Sequence, residues 1–291
     1  MSSWIPEAIV SELDNPESRL ELARQATAAA RVAAPGVDIE MLWDGIWIRR
    51  VGPHYFPEPD LFRVVQPKWP QWPNTERAFL RDANDYWFHV YKPRLGDVIV
   101  DIGAGRGEDV FAFSRAVGPE GKVFAIEPHP ATFQVLGKFC EWNRLANVTT
   151  VNCACVDEAA SLQIETLRVW QSNYVRTGEP SPTSFPVKGV RCDDLCDEYG
   201  TDRIDFLKMN IEGAERTALA GCRRALERTR FVSIAAHDFR AARGEGEHFR
   251  TLDFVRQLLT ESGFQVTTRD EDPRRYVRYH VHGWRPGNTA P

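Results

Sequence analysis

From residue 96 onward, short apolar runs rich in valine and isoleucine alternate with stretches whose apolar positions recur at helical spacing. The apolar runs predict seven strands, at residues 97–103, 122–128, 147–156, 204–211, 231–239, 264–270 and 275–284. The stretches between them predict helices at residues 107–117, 129–145, 214–228 and 249–262. This alternation predicts an α/β fold with a mostly parallel sheet covered on both faces. The short EDPR turn between the last two runs predicts an antiparallel C-terminal hairpin at the sheet edge.

The first ninety residues show a different pattern, with six of the nine tryptophans and a proline-dense passage at residues 53–73. Alanine-rich residues 6–33 predict a helix, and a second helix is predicted to begin at Asn74 or Thr75. The stretch IEMLWDGIWIRRV predicts a hairpin, because its Asp-Gly pair suits a type I′ turn. We therefore predict that residues 1–90 form a helical and hairpin cap, or lid, on a catalytic domain at residues 91–291.

The composition is that of an ordinary globular chain, with 291 residues of which 43% are hydrophobic and 26% charged. The formal net charge of −5 gives no general attraction to nucleic acids or to anionic membranes. No run approaches the ~18 apolar residues that a membrane span needs, and the N-terminus lacks a signal-peptide pattern. These features favour a cytoplasmic protein with neither nucleic acid nor membrane as partner, and they leave the oligomeric state open.

Six cysteines are too few for a disulfide framework in a chain of this length. Cys192 and Cys196 lie four residues apart among aspartates, which loosely resembles a metal site. Zinc-binding pairs are usually spaced as C-x2-C with a second pair elsewhere, so we favour buried thiols and predict no metal.

The first predicted strand ends in the glycine loop DIGAGRGEDV. In a Rossmann-like sheet, ligands bind beyond the carboxyl ends of the strands, at the switch point beside this strand. A dinucleotide loop needs a small residue five places after its first glycine, but Glu108 stands there, and a carboxylate suits a pyrophosphate poorly. Glu127 closes the second strand 24 residues after Gly103, where an acidic side chain suits the hydroxyls of a ribose.

The stretch VIVDIGAGRGEDVFAFSRAVGPEGKVFAIEPHPATF resembles the cofactor-binding half of class I methyltransferases that depend on S-adenosylmethionine. The later stretches NRLANVTTVNCACVDEAASLQIE and IDFLKMNIEGAE are similar to the FkbM-type family of that class. The resemblance covers roughly residues 90–240 and implies S-adenosylmethionine as the cofactor. The residues that it places around the cofactor are Asp101, Gly103, Ala104 and Gly105 at the methionine end, Glu127 and Pro128 at the ribose, Asn152, Cys153 and Asp157 near the adenine, and Asn210 beside the methyl group.

Transfer of a methyl group to a hydroxyl requires alignment of the acceptor and a group that takes its proton. The ends of two predicted strands supply Asn210, Glu212 and His237 as catalytic candidates. His237 is the natural base because imidazole titrates near neutrality, and Glu212 would orient it, bind hydroxyls or act as the base itself. Glu212 and Glu215 would equally suit the first turn of a helix, where the dipole favours carboxylates. Asn210 stands where the family more often has aspartate, which disfavours a metal-dependent reaction.

We therefore expect a biosynthetic methyltransferase that methylates a hydroxyl of a small molecule such as a sugar or a secondary metabolite. Methylation of an amine or a carboxyl group, in a peptide or a small molecule, is the alternative on the same fold. A catalytically silent protein that only binds the cofactor is a further alternative.

Overall fold

The computed structural model describes residues 15–58, 74–165, 174–176 and 182–287. Residues 6–14 of the first predicted helix and most of the proline-dense passage lie outside this part of the chain. The described residues divide into two compact units. The smaller unit draws on Met1–Ala78 and Lys138–Arg144, and the larger on Phe79–Gly137 and Leu145–Pro291. The predicted domain boundary at residue 90 stays a prediction.

The α-helices of the described residues, numbered α1 to α9 in chain order, are Pro16–Ala33, Thr75–Tyr86, Glu108–Val117, Pro130–Trp142, Cys192–Glu198, Glu215–Ala220, Arg223–Glu227, Asp238–Ala241 and Leu252–Glu261. The strands β1 to β14 are Ile39–Trp43, Trp47–Val51, His54–Pro57, Val98–Ile102, Lys122–Ile126, Val148–Val151, Ala154–Cys155, Ala160–Glu165, Tyr174–Arg176, Ser184–Val190, Ile204–Met209, Thr229–Ala235, Gln265–Thr268 and His280–Trp284. Within the described ranges, no helix combines the length and the apolar character that crossing a bilayer requires.

The smaller unit is a three-stranded antiparallel sheet, in the order β1-β2-β3, with the alanine face of α1 packed into its core. Asn15 caps α1 by accepting a hydrogen bond from the backbone of Glu17, and Pro16 occupies the first turn. The predicted hairpin is present, but Trp43 pairs with Trp47, so its loop has three residues. The type I′ turn is therefore wrong, because that turn needs two central residues with positive φ and only Gly45 has one here.

The larger unit contains a seven-stranded sheet in the order β13-β14-β12-β11-β4-β5-β6. The five strands from β12 to β6 run parallel, and β14 pairs antiparallel with both β12 and β13. The predicted fold class, with its antiparallel hairpin at the C-terminal edge, is confirmed. Residues 269–279 connect β13 to β14, so the link is longer than the predicted EDPR turn.

The predicted strand 147–156 is in fact two strands in two different sheets. β6 ends at Val151, and the side-chain amide of Asn152 donates to the backbone oxygens of Glu127 and Pro128. β7 then pairs with β10 in a second, four-stranded sheet of the order β7-β10-β8-β9. The single predicted helix 214–228 is likewise divided into α6 and α7, at Gly221 and Cys222. A Cβ at Gly221 would lie 1.9 Å from the carbonyl oxygen of Val156, so this position requires glycine.

The central strand β11 is buried along its whole length, as expected for a parallel strand with neighbours on both sides and helices on both faces. Because parallel strands end at the same edge of a sheet, the residues that follow β4, β5, β11 and β12 lie close together. The candidate site is built from these four strand ends.

Candidate active site

The turn after β4 fits tightly against the end of β11. The backbone nitrogens of Gly103 and Ala104 donate to the carbonyl oxygen of Ile126, which ties the turn to β5. Gly103 has a φ of 83°, and a Cβ there would lie 2.1 Å from the carbonyl oxygen of Asn210. Only glycine therefore allows these two strand ends to approach so closely. Helix α3 begins directly after this turn, at Glu108.

Glu127 is held in place by the glycine loop. One of its carboxylate oxygens, Oε2, accepts from the backbone nitrogen of Gly105 at 3.0 Å, and the other, Oε1, accepts from that of His129 at 2.9 Å. The side chain is buried, and burial raises its pKa to about 7 although both hydrogen bonds act in the opposite direction. Glu127 is thus a fixed hydrogen-bond acceptor at the end of β5.

A buried ion pair links β4 to β11. Lys208 is opposite Asp101 in the sheet register, and its ammonium lies 2.7 Å from Asp101 Oδ1 and 2.8 Å from the carbonyl oxygen of Gly103. Burial raises the pKa of Asp101 to about 6, against the attraction of Lys208. Burial would lower the pKa of Lys208, but the carboxylates of Asp101 and Asp109 more than offset this and raise it. Lys208 thus pairs with a buried carboxylate between two neighbouring strands.

His237 lies between two glutamates at the ends of β11 and β12. Its Nε2 is 3.2 Å from Glu212 Oε1, and its Nδ1 is 2.7 Å from Glu215 Oε1. Burial lowers the pKa of His237, but the two carboxylates outweigh burial and raise it to about 10. His237 is therefore an imidazolium at neutral pH, with both ring nitrogens engaged.

The backbone of Glu212 has a φ of 52°, a value that residues other than glycine rarely adopt. Arg240 Nη1 holds its other carboxylate oxygen at 2.6 Å. Burial raises the pKa of Glu212, but contacts with His237 and Arg240 outweigh burial and lower it. The positive φ of Glu212 costs conformational free energy, and residues strained in this way are common at functional sites. No sequence motif singled out Arg240, although it lies only three residues after His237.

A first cavity opens at the carboxyl edge of β4 and β5. Seven of the residues predicted to bind the cofactor line it, namely Gly103, Ala104, Gly105, Glu127, Pro128, Cys153 and Asn210. Cys155 and Ile164 also line it, and the sequence did not single out either one. The alternating apolar pattern of residues 160–165 was the signal available for Ile164, which is buried in β8.

Three of the predicted cofactor residues lie elsewhere. Asp101 is fully buried and does not line the cavity; its carboxylate is paired with Lys208, which does line it. Asp157 is exposed in a turn and lines a separate surface depression with Arg216 and Phe254. The amide of Asn152 is bound to the backbone after β5. The geometry therefore gives no support to an adenine contact by Asp157.

A second cavity of about 480 Å³ lies beside the first. Aromatic side chains form much of its wall, namely Phe79, Tyr86, Trp87, Phe239, Tyr276 and His280. His237 lines this cavity too, and four residues line both cavities, namely Glu108, Asp109, Asn210 and Glu212. Two of the three predicted catalytic residues, Asn210 and Glu212, thus lie between the two cavities.

Among the described residues, no group of three or more histidines, cysteines, aspartates and glutamates is arranged to hold a metal ion. Cys192 and Cys196 are buried in and around α5 as free thiols.

The mostly parallel sheet, the glycine loop after β4 and the acidic end of β5 together define the class of the protein, a class I methyltransferase. The chain belongs to the FkbM methyltransferase family, since the family model described as "Methyltransferase FkbM domain" matches residues 101–266.

Curated relatives agree with this family. The chain is 30% identical over 234 residues to the 31-O-demethyl-FK506 methyltransferase FkbM of Streptomyces tacrolimicus, covering 68% of this chain and 81% of that protein. It is 26% identical over 155 residues to the 2-O-methyltransferase NoeI of Sinorhizobium fredii, and this match covers 46% of this chain and 61% of NoeI. The solved structure of an FkbM methyltransferase from Methylobacillus flagellatus KT matches with a TM-score of 0.45 and 18% identity, over 77% of this chain and 62% of that one.

Proposed function

We propose that this protein transfers the methyl group of S-adenosylmethionine to a hydroxyl group of a small molecule. The observation that carries the proposal is the pair of adjoining cavities, whose shared wall holds Asn210 and Glu212. One cavity would hold the methyl donor and the other the acceptor. When bound, S-adenosylmethionine supplies an electrophilic methyl group on a positively charged sulfur.

The residues of the first cavity fit this cofactor. Its lining includes the carboxylates of Glu108, Asp109, Glu127 and Glu212, and its one lysine is already paired with Asp101. Such a lining favours a ligand with positive charge and disfavours a pyrophosphate. Glu127 would accept hydrogen bonds from the ribose hydroxyls, and Cys153, Cys155 and Ile164 would border the adenine.

We propose that Glu212 takes the proton of the acceptor hydroxyl and that His237 holds Glu212 in position. Both oxygens of Glu212 are already in contact with His237 and Arg240, but each carboxylate oxygen keeps a second lone pair that can take a proton, whereas the imidazolium of His237 has none. Glu212 also lines both cavities. His237 is then a positioning residue, the hydrogen-bond donor that orients Glu212 Oε1. The side chain of Asn210 would orient the acceptor at the shared wall.

Two curated relatives support oxygen as the acceptor atom, because their names describe O-methyltransferases. A carboxylate near the methyl group also fits a hydroxyl acceptor, which must lose a proton, better than an amine that is already deprotonated.

Calorimetric titration with S-adenosylmethionine tests the proposal through Glu127. Only the carboxylate form of Glu127 accepts both ribose hydrogen bonds, and its pKa in the free protein is about 7. We expect the affinity to be constant above pH 7 and to fall as the pH drops below 7, by up to about tenfold per pH unit. Glu127→Gln should bind roughly tenfold to a hundredfold more weakly, without this pH dependence.

Glu120→Gln is the matched control, because Glu120 is exposed in the turn before β5, at the opposite edge of the sheet. It should bind like the unchanged protein. If the unchanged protein does not bind S-adenosylmethionine, or if Glu127→Gln binds it equally well, the proposed function is wrong.

A further inference from the structure

We propose that the acceptor is a polyhydroxylated molecule with an apolar face and no negative charge, such as a neutral or amino-substituted glycoside. This inference rests on the proposed function, because it assigns the second cavity to the acceptor. It is carried by the charge and the aromatic content of that cavity.

The charges at the second cavity are unfavourable for an anion. Four carboxylates line it, those of Asp82, Glu108, Asp109 and Glu212, and none of the described lining residues is a lysine or an arginine. The remaining lining histidine, His280, is neutral because burial lowers its pKa to about 4. An acceptor carboxylate or phosphate would therefore lie among like charges.

The cations that pair with these carboxylates are not available to an acceptor. Two of them do not line the cavity, and the third, His237, lines it but is already in contact with glutamates. Arg240 holds Glu212 at 2.6 Å, and Arg81, which is largely exposed, holds Asp82 at 2.7 Å. His237, which does line the cavity, already contacts Glu212 and Glu215 through its two nitrogens. No guanidinium or ammonium of the described lining is thus left to receive an anionic acceptor, whereas hydroxyl groups can donate to the carboxylates.

The wall is also suited to the apolar face of a sugar ring. Tyr86 and Tyr276 lie edge to face at 6.0 Å, with their hydroxyls 3.2 Å apart, and Tyr276 is 44% exposed. Amphipathic rings of this kind offer an apolar surface together with a polar group at the rim.

Trp87 adds to this aromatic surface. It is 4% exposed, lines the cavity and stacks on His280 with 4.9 Å between ring centroids. The two stacked rings extend the apolar part of the wall.

Binding of three matched probes tests the inference. Phenyl β-D-glucopyranoside, its 2-amino-2-deoxy analogue and phenyl β-D-glucuronide would be titrated into the full chain, with and without S-adenosylhomocysteine. We expect the neutral and amino glycosides to bind and the glucuronide to bind at least about tenfold more weakly. Equal or tighter binding of the glucuronide, or no binding of the other two, would overturn the inference.

Charge reversal tests the electrostatic cause. Asp82→Lys should reduce the ratio of glucoside affinity to glucuronide affinity at least about threefold. Glu227→Lys is the matched control, because it changes the net charge equally on an exposed residue that precedes β12, at the opposite edge of the sheet. A preference that both variants change equally, or that neither changes, contradicts the inference.

Removal of an aromatic ring tests the location. Tyr276→Ala should weaken glucoside binding at least about threefold, whereas Tyr199→Ala should not, since Tyr199 is similarly exposed but does not line this cavity. Equal effects of the two variants would place the probe elsewhere and overturn the inference. Binding of S-adenosylmethionine is measured separately, so its loss would count against the proposed function and not against the acceptor class.

Discussion

At the scale of single residues, the state of His237 determines how the site is organised. An imidazole near neutrality is a good base only if one nitrogen is free, and here both nitrogens contact glutamates. The second oxygen of Glu215 is buried without a hydrogen-bond partner in the described structure, so Glu215 depends on His237 for charge compensation. The histidine and its two glutamates therefore act as one unit.

Replacement of His237 by glutamine should reveal this charge through the pH dependence of stability. The folded-state pKa of about 10 lies above the ordinary value of 6.5, so the stabilisation is complete below pH 6.5 and is lost as the pH rises toward 10. His237→Gln should cost about 3 kcal/mol of unfolding free energy at pH 6.5, and clearly less at pH 9.5. Urea unfolding at both pH values measures this. A difference that stays constant with pH would show that His237 is neutral in the folded protein.

At the scale of elements, the turn between β4 and α3 determines how closely the strand ends approach. Gly103 combines a positive φ with a backbone contact to Asn210, which lies 107 residues later in the chain. The turn after β11 uses a similar arrangement, since Gly213 has a φ of 94° and a Cβ there would meet the ring of Phe249. At both positions a side chain would collide with another part of the chain, so both turns require glycine.

Comparing Gly103→Ala with Gly96→Ala should separate the cost of the steric contact from the cost of the positive φ. Gly96 has nearly the same φ, 87°, but a Cβ there would have no neighbour within 4 Å. Gly96→Ala should therefore cost about 1 kcal/mol of unfolding free energy, and Gly103→Ala at least about 3 kcal/mol. Chemical denaturation of both variants gives the comparison. Similar losses would mean that the contact with Asn210 relaxes easily.

At the scale of the whole molecule, the ion pair of Asp101 and Lys208 connects strands that are neighbours in the sheet but about a hundred residues apart in sequence. Lys208 also lies 5.0 Å from the ring of Trp87 and contacts the glycine loop. Lys208 lines the first cavity and Trp87 the second, so the pair connects the two cavities through the core of the sheet.

Lys208→Met should be strongly destabilising, by about 3–5 kcal/mol, because it leaves the Asp101 carboxylate buried without its cation. The double variant Lys208→Met with Asp101→Asn removes both charges and should recover part of that loss. Thermal and denaturant unfolding of the single and double variants form the test. If the double variant is no more stable than Lys208→Met alone, the loss has a cause other than the unpaired charge.

The sequence by itself determined the alternation of strands and helices, the parallel sheet with its C-terminal hairpin, and the position of the glycine loop and Glu127. These are local signals, since hydrophobic period, glycine spacing and strand ends can be read from neighbouring residues. It did not determine that residues 147–156 divide between two sheets, because that depends on where β10 offers a partner for β7.

Only the tertiary structure decided the state of the catalytic candidates. Neither the burial of His237 between Glu212 and Glu215 nor the contact of Arg240 with Glu212 is visible in the sequence. A pKa depends on burial and on charges brought together from different strands, and the same residue types would titrate normally if they were exposed. The sequence thus named Asn210, Glu212 and His237, and the fold assigned their charges and their neighbours.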